Sequence, residues 1–114
     1  MLKTKTAVIT GGSRGIGAAI ALKMAEQGAD VAIIYAGNTE KATEVRTKAA
    51  EFGVKAEIYR CDVADFAAVK ETVSRIVADF GTIDILVNNA GITRDSLIFS
   101  MSEDNWDAVM NINL

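Results

Sequence analysis

The sequence predicts an α/β fold in three layers, a parallel sheet of strand order 3-2-1-4 with helices on both faces. Three observations carry that expectation. Short Val- and Ile-rich segments alternate with amphipathic ones along the 114 residues, the strand-helix pattern that builds a parallel sheet through right-handed crossovers. Two of the short segments, around Val31-Ala32-Ile33-Ile34-Tyr35 and Ile85-Leu86-Val87, are apolar without alternation, as strands covered on both faces are. There is no proline to interrupt a helix, and a glycine follows each of three amphipathic stretches, where helices commonly end.

The first strand is read over Thr6 to Thr10. Ile16, Ile20 and Met24 then line a helix closed by Gly28. The second strand runs from Val31 to Tyr35, and Ala42, Val45, Ala49 and Phe52 mark one face of a second helix stopping at Gly53. The third strand is Lys55 to Cys61. Val69, Val73, Ile76, Val77 and Phe80 recur at i, i+4, i+7, i+8 and i+11, a one-faced helix ending at Gly81. Ile83 to Asn88 is the fourth strand. A fourth helix is expected from Ser102, a good N-cap followed by Glu103 and Asp104, whose charges suit a helix N-terminus.

Composition narrows the function classes. Half the residues are hydrophobic and the net charge is −3, which fits one folded domain and argues against nucleic acid or an anionic membrane as the main partner. Histidine is absent, removing Ser-His and Cys-His nucleophile schemes and histidine metal sites, so no metal site is expected. Cys61 is the one cysteine; it fits a reducing, cytoplasmic setting. The apolar run after Met1 to Lys5 is cut by Gly11 and Gly12, too short for a signal peptide.

The chemistry concentrates at Thr10-Gly11-Gly12-Ser13-Arg14-Gly15-Ile16-Gly17, where a buried strand hands over to a helix. Glycines there serve a tight turn, close approach of backbone to a pyrophosphate, and close helix-strand packing. The helix start then offers N–H groups to phosphate oxygens. This context makes the loop Rossmann-type; a purely structural turn is the alternative.

The spacing of Gly11, Gly15 and Gly17 is G-x-x-x-G-x-G, and with Thr10 before it the loop resembles the signature of short-chain dehydrogenases/reductases. The resemblance runs from Thr6 to Leu114. It implies cofactor contacts from Gly11, Ser13, Arg14, Gly15, Ile16 and Gly17, and from Tyr35, Ala36 and Asn38 at the end of the second strand. Asp62 and Val63 resemble the adenine-holding pair, with a turn or cap role for Asp62 as the alternative. Asn89, Ala90 and Gly91, in Asn88-Asn89-Ala90-Gly91, resemble the family's N-N-A-G motif beside the cofactor's ribose and nicotinamide. Asn113, before Leu114, matches the asparagine of the family's proton relay; a polar helix residue is the alternative.

No acidic residue stands at Tyr35-Ala36-Gly37-Asn38, where an NAD-preferring site holds a ribose 2′-hydroxyl. Asp30 is at the wrong end of the strand, and Glu40 opens the next helix. With Arg14 as a cationic fork for a 2′-phosphate, the expected cofactor is NADP(H). The stretches from Gly91 to Asp95 and Ser102 to Trp106 are most similar to reductases acting on 3-oxoacyl groups held on acyl-carrier protein. The implied reaction is NADPH-dependent carbonyl reduction in fatty acid synthesis, by a homo-oligomeric parent.

The family also needs a serine and a Tyr-x-x-x-Lys pair. The two tyrosines, Tyr35 and Tyr59, have Thr39 and Val63 four residues on. The expectation is therefore the N-terminal, cofactor-binding half of a roughly double-length reductase, weak in cofactor binding and inactive alone. Competing readings are a sister reductase on an acyl-coenzyme A, sugar or steroid, a non-enzymatic nucleotide-binding module, and a fragment that completes its sheet with another chain through an apolar fourth-strand edge.

Overall fold

Thr6–Thr10 (β1) is buried at all five positions, and a strand hidden on both faces needs a neighbour on each side to satisfy its backbone. It has them. In this computed structural model, which describes residues 2–13, 15–62, 64–88, 95–102 and 105–113 (backbone alone in the last two stretches), β1 pairs in parallel with Asp30–Tyr35 (β2) and with Ile85–Asn88 (β4). Ala56–Arg60 (β3) adds in parallel to the far side of β2. The order β3-β2-β1-β4 is the predicted 3-2-1-4.

Alternate residues of these strands feed two cores. Ala7, Ile9, Val31, Ile33 and Val87 pack with Ala21 and Ala25 of helix α1 (Gly15–Glu26) and with Val45 and Ala49 of α2 (Thr39–Ala50). Val8, Ala32, Ile34 and Tyr59 turn the other way, toward Ile76 of α3 (Phe66–Phe80). Helices on both faces give the three layers.

Two apolar readings need correction. Ile16 is 62% exposed; the buried face of α1 is Gly17, Ala21 and Ala25. These small residues recur every four positions and let the helix lie close on the sheet, while Ile20 and Met24 flank the contact. Phe52 is 49% exposed, because α2 ends at Ala50 before its apolar stripe can carry Phe52 inward.

The fourth helix is a larger correction. Asp95–Ser102 (β5) and Asn105–Asn113 (β6) are antiparallel strands, with a register shift between Ile98 and Phe99. Trp106, Ala108, Met110 and Ile112 alternate with Asp107, Asn111 and Asn113, interrupted at Val109, which the register with β5 skips; that period of two favours a strand over the helix suggested by the Ser102 cap. β5 pairs with β4 through Leu86↔Phe99 and Val87↔Ile98. β4 is therefore an inner strand of a six-stranded sheet and no open edge.

Candidate functional site

β1 and β2 end side by side, and the chain leaving each must turn away from the sheet. The Gly11 N–H donates to the Ile34 carbonyl at 2.8 Å, tying the start of the glycine loop to β2. Gly11 and Gly15 adopt φ of 68° and 61°, a left-handed backbone that costs other residues roughly 1–2 kcal/mol. Gly12 answers a different need. A Cβ there would stand 3.0 Å from Cγ2 of Ile33 and 3.3 Å from Cγ2 of Ile9, so any side chain would push into the first core.

The loop and the end of β2 enclose a cavity of about 330 Å³ lined by Gly11, Ser13, Ala36, Gly37 and Asn38. The structure thus brings together four of the expected residues, Gly11, Ser13, Ala36 and Asn38. Gly37 also lines the cavity, and Gly12 lies beneath the loop against Ile9 and Ile33 without lining it; the sequence expectation includes neither among the contact residues. The signal for Gly37 was its place beside the absent acid; for Gly12 it was the doubled glycine after a buried strand. Among the described residues that line it, none is a carboxylate. Open, glycine-bounded backbone with a hydroxyl and an amide beside it suits a phosphorylated sugar chemically.

The remaining expected residues fall around this cavity in different ways. Gly15 and Ile16 open α1, both exposed, and nothing lies within 4 Å of a Cβ built at Gly15. Gly17 is buried on the sheet side of that helix. Tyr35 is 6% exposed, and its hydroxyl lies 3.1 Å from Thr39 Oγ1, so it supports the first turn of α2. Asp62 accepts a hydrogen bond from the Ala64 N–H at 2.9 Å, the turn role that the sequence left open. Asn113 closes β6 in register with Asp95. Arg14, Val63, Asn89, Ala90 and Gly91 lie outside the described residues.

At the same end of the sheet Thr10 Oγ1 donates to Asn88 Oδ1 at 3.0 Å, clamping β1 to β4 where the Asn88-Asn89-Ala90-Gly91 motif begins. Neither tyrosine is placed as a proton donor for this cavity. Tyr59 donates to Asp79 Oδ2 at 2.5 Å on the α3 side of the sheet. Burial, then the hydrogen bond and charge of Asp79, push its hydroxyl well above the usual tyrosine pKa. A second hollow, about 390 Å³, lies along α3 against Phe66, Val69, Lys70 and Val73. Among the described residues no helix is long and apolar enough to cross a membrane, and no group of three His, Cys, Asp or Glu is arranged to hold a metal ion.

Comparison with known proteins gives the fold and the loop a context. Residues 5–114 match the family model described as short chain dehydrogenase. The chain is 48% identical over all 114 residues to the 3-oxoacyl-acyl-carrier-protein reductase FabG of Staphylococcus aureus, covering 46% of that protein. It is 45% identical over 111 residues to an acetoacetyl-CoA reductase of Shinella zoogloeoides, 97% of this chain and 44% of that one. The chain thus spans about half the length of the curated relatives it matches. Among solved structures, a short chain dehydrogenase from Burkholderia cenocepacia in complex with NADP superposes with a TM-score of 0.78 at 50% identity, over 82% of this chain and 38% of that one. An NAD+-bound xylitol dehydrogenase does so with a TM-score of 0.76 at 40% identity, over 82% and 35%.

Proposed function

The chain belongs to the short-chain dehydrogenase family, and from that premise we propose that its whole protein is an NADPH-dependent carbonyl reductase. The proposed reaction takes a 3-oxoacyl group on acyl-carrier protein to the 3-hydroxyacyl form, in the fatty acid synthesis of a cytoplasm. The observation that carries this reading is the cavity between the glycine loop and the end of β2, which no carboxylate lines among the described residues. A carboxylate there would hold a ribose 2′-hydroxyl and repel a 2′-phosphate. Similarity to the NADP complex supports the same choice.

In this reading the backbone of Gly11, Gly15 and Ile16 holds the pyrophosphate at the start of α1, and Gly17 lets that helix approach the sheet. Ser13, Ala36 and Asn38 border the adenosine ribose, with Tyr35 beneath them, and Arg14 grips the 2′-phosphate. Asp62 and Val63 border the adenine. Asn89, Ala90 and Gly91 leave room for the nicotinamide ribose, and Asn113 joins the proton relay. The bound cofactor supplies a hydride to the substrate carbonyl carbon. The proton for the resulting alkoxide comes from a tyrosine beyond these 114 residues, in a homo-oligomeric parent.

A second reading has a specific observation behind it: relatives named acetoacetyl-CoA reductase match nearly as well. Both substrates are 3-oxoacyl thioesters, so the two readings differ in the carrier alone. The test is turnover of the whole protein with NADPH or NADH, on matched thioesters of acyl-carrier protein and coenzyme A. Preference for NADPH and the carrier-protein thioester is the expected result; preference for NADH removes the cofactor assignment. The 114-residue chain alone should show no useful turnover, since general acid catalysis is worth roughly 10²–10⁴-fold. Robust turnover by the chain alone would remove the division of labour proposed here.

A further inference from the structure

The two ends of α3 are held in different ways. Asp79 in its last turn accepts twice from β3 and the residue before it. The Tyr59 hydroxyl donates to Asp79 Oδ2 at 2.5 Å, and Lys55 Nζ donates to the Asp79 carbonyl. The Lys55 ammonium also lies 4.7 Å from the centre of the Phe80 ring, and the Arg75 guanidinium 5.5 Å from that of Tyr59. α3 has no basic residue in its own last turn, so Lys55 brings the cation that suits a helix C-terminus. Just beyond Gly81, Ile83 is buried and the Asp84 N–H donates to the Thr6 carbonyl.

The first end has no such ties among the described residues. The Asp65 N–H donates to the Asp62 carbonyl, the Ala64 N–H to Asp62 Oδ1, the Ala68 N–H to Asp65 Oδ1 and the Val69 N–H to the Asp65 carbonyl. Each of these bonds joins residues no more than four apart. They hold the first turn together and leave it unfastened from the sheet. Packing is thin there as well. Phe66 is 76% exposed, Ala68, Val69 and Val73 reach the second core half-buried, and the hollow of about 390 Å³ lies along this stretch. Thr72 is the first residue of the helix to be buried. A hollow takes away contacts that would hold a helix down, and segments with few buried contacts open with a small free energy.

We infer that the first two turns of α3 form a strap, hinged near Thr72 and anchored by the Tyr59–Asp79–Lys55 clasp, that opens from the sheet and closes when an adenosine phosphate binds. The clasp keeps the last turn in place while the first turns move. Asp62, read as bordering the adenine, is exposed at the unfastened end of the strap. A nucleotide that touches this end binds the closed form better than the open one, the difference in affinity that a population shift requires. The opening stands on the bonds and burial of α3; the closure rests on the nucleotide reading of the cavity.

The experiment is amide hydrogen exchange of the 114-residue chain, observed by NMR, alone and with adenosine 2′,5′-bisphosphate or ribose 5-phosphate. In the chain alone, the amides of Val69, Lys70 and Glu71 should exchange at least about tenfold faster than those of Ala78 to Gly81. Equal protection at the two ends overturns the strap. Tyr59→Phe keeps the ring and loses the hydroxyl; it should speed exchange in the last turn by about threefold or more and leave the first turns as they were. Lys55→Met, which spares the core, should act in the same direction. A last turn unchanged in both variants overturns the clasp. The bisphosphate, at about ten times its dissociation constant, should slow exchange at Val69 to Glu71 by about fivefold or more. Ribose 5-phosphate, which has no adenine, should not, and equal slowing by both probes overturns the adenine contact. Shifts at Ser13 and Ala36 without slowing at Val69 overturn the closure and leave the nucleotide reading standing. If the bisphosphate shifts neither Ser13 nor Ala36, the nucleotide reading falls and the closure with it.

Discussion

The two ends of the parallel sheet use polar groups in opposite ways. Where the strands begin, carboxylates are spent on neighbouring backbone: Asp84 Oδ2 accepts the Thr6 N–H at 2.8 Å, and Asp30 Oδ1 accepts the Lys55 N–H at 2.9 Å. Where the strands finish, Gly11 and Gly12 follow β1 and Gly37 follows β2 by one residue, and the cavity opens between them. One end closes its hydrogen bonds on itself. The other clears side chains away and leaves backbone facing a hollow, as ligand sites at the carboxyl ends of parallel strands do. Changes at the first end should therefore cost stability, and changes at the second should cost recognition.

The largest effect is expected where the two meet. Ile33 is fully buried in the first core, and its Cγ2 lies under Gly12 of the loop. Ile33→Ala should lower unfolding free energy by about 2–5 kcal/mol, read by urea denaturation, and should loosen the loop as well. A loss below about 0.5 kcal/mol, the size expected of an ordinary surface change, would mean the loop does not rest on this core. Next in size is Arg14→Ala in the whole protein. It should weaken NADPH relative to NADH by about 1.5–3 kcal/mol with stability unchanged. Equal losses for both cofactors would deny Arg14 the phosphate. Ala36→Asp should turn the preference around.

The sheet was largely legible in the sequence because its strands are buried on both faces. A segment such as Val31-Ala32-Ile33-Ile34-Tyr35 has few other places to go, and the order 3-2-1-4 follows from the connections. Glycine spacing likewise marked the loop. What stayed hidden depends on partners distant in sequence. Gly12 matters because Ile9 and Ile33 both come up beneath it, a contact no local pattern encodes. Ile16 has the hydrophobicity of a core residue and sits exposed, since the close approach of α1 is set by Gly17 and Ala21. For residues 105–113 a capping signal competed with a period-two pattern, and the strand pattern prevailed next to β5. The place of Asn38 after the second strand marks it as a cofactor neighbour, whereas its cap depends on the Lys41 N–H three residues on.

A matched pair of substitutions separates the two ends more finely. At the beginning of the strands, Asp84→Ala strips the partner from the Thr6 N–H, on a residue that is 3% exposed. Leaving that donor unsatisfied should cost about 1–3 kcal/mol of stability, measured by thermal or urea unfolding. Binding of adenosine 2′,5′-bisphosphate to the folded fraction should not change, because none of the described residues that line the cavity lies at that end. A weakened titration in that variant would break the division between the ends.

Thr10→Val is the counterpart at the finish of the strands and carries the smallest expected effect. The two side chains are close in shape, so the 7% exposed position stays filled, and what disappears is the hydroxyl that donates to Asn88 Oδ1. The net worth of such a neutral bond is about 0.5–1.5 kcal/mol, less than the Asp84 loss because the acceptor at Asn88 is half-buried and can turn to water. Its distinctive consequence should appear in recognition. Thr10 is the residue from which the glycine loop departs, and Asn88 is the residue from which the Asn-Asn-Ala-Gly segment departs; their bond holds the two departures at a set distance. Once it is gone, the loop keeps its Gly11 tie to Ile34 and the ladder pairing of Thr10 with Asn88, and loses the side-chain bond that reinforces that pairing. Nucleotide affinity should therefore fall by a few-fold, beyond what the small loss of stability explains by depopulating the fold, since a protein stable by about 5 kcal/mol or more stays almost wholly folded after losing one. The measurement is the same titration, run well below the melting transition of both variants. If Thr10→Val loses stability alone and binds as before, the clamp belongs with Asp84 as a device of the fold, and the line between the two ends must be drawn at the glycines.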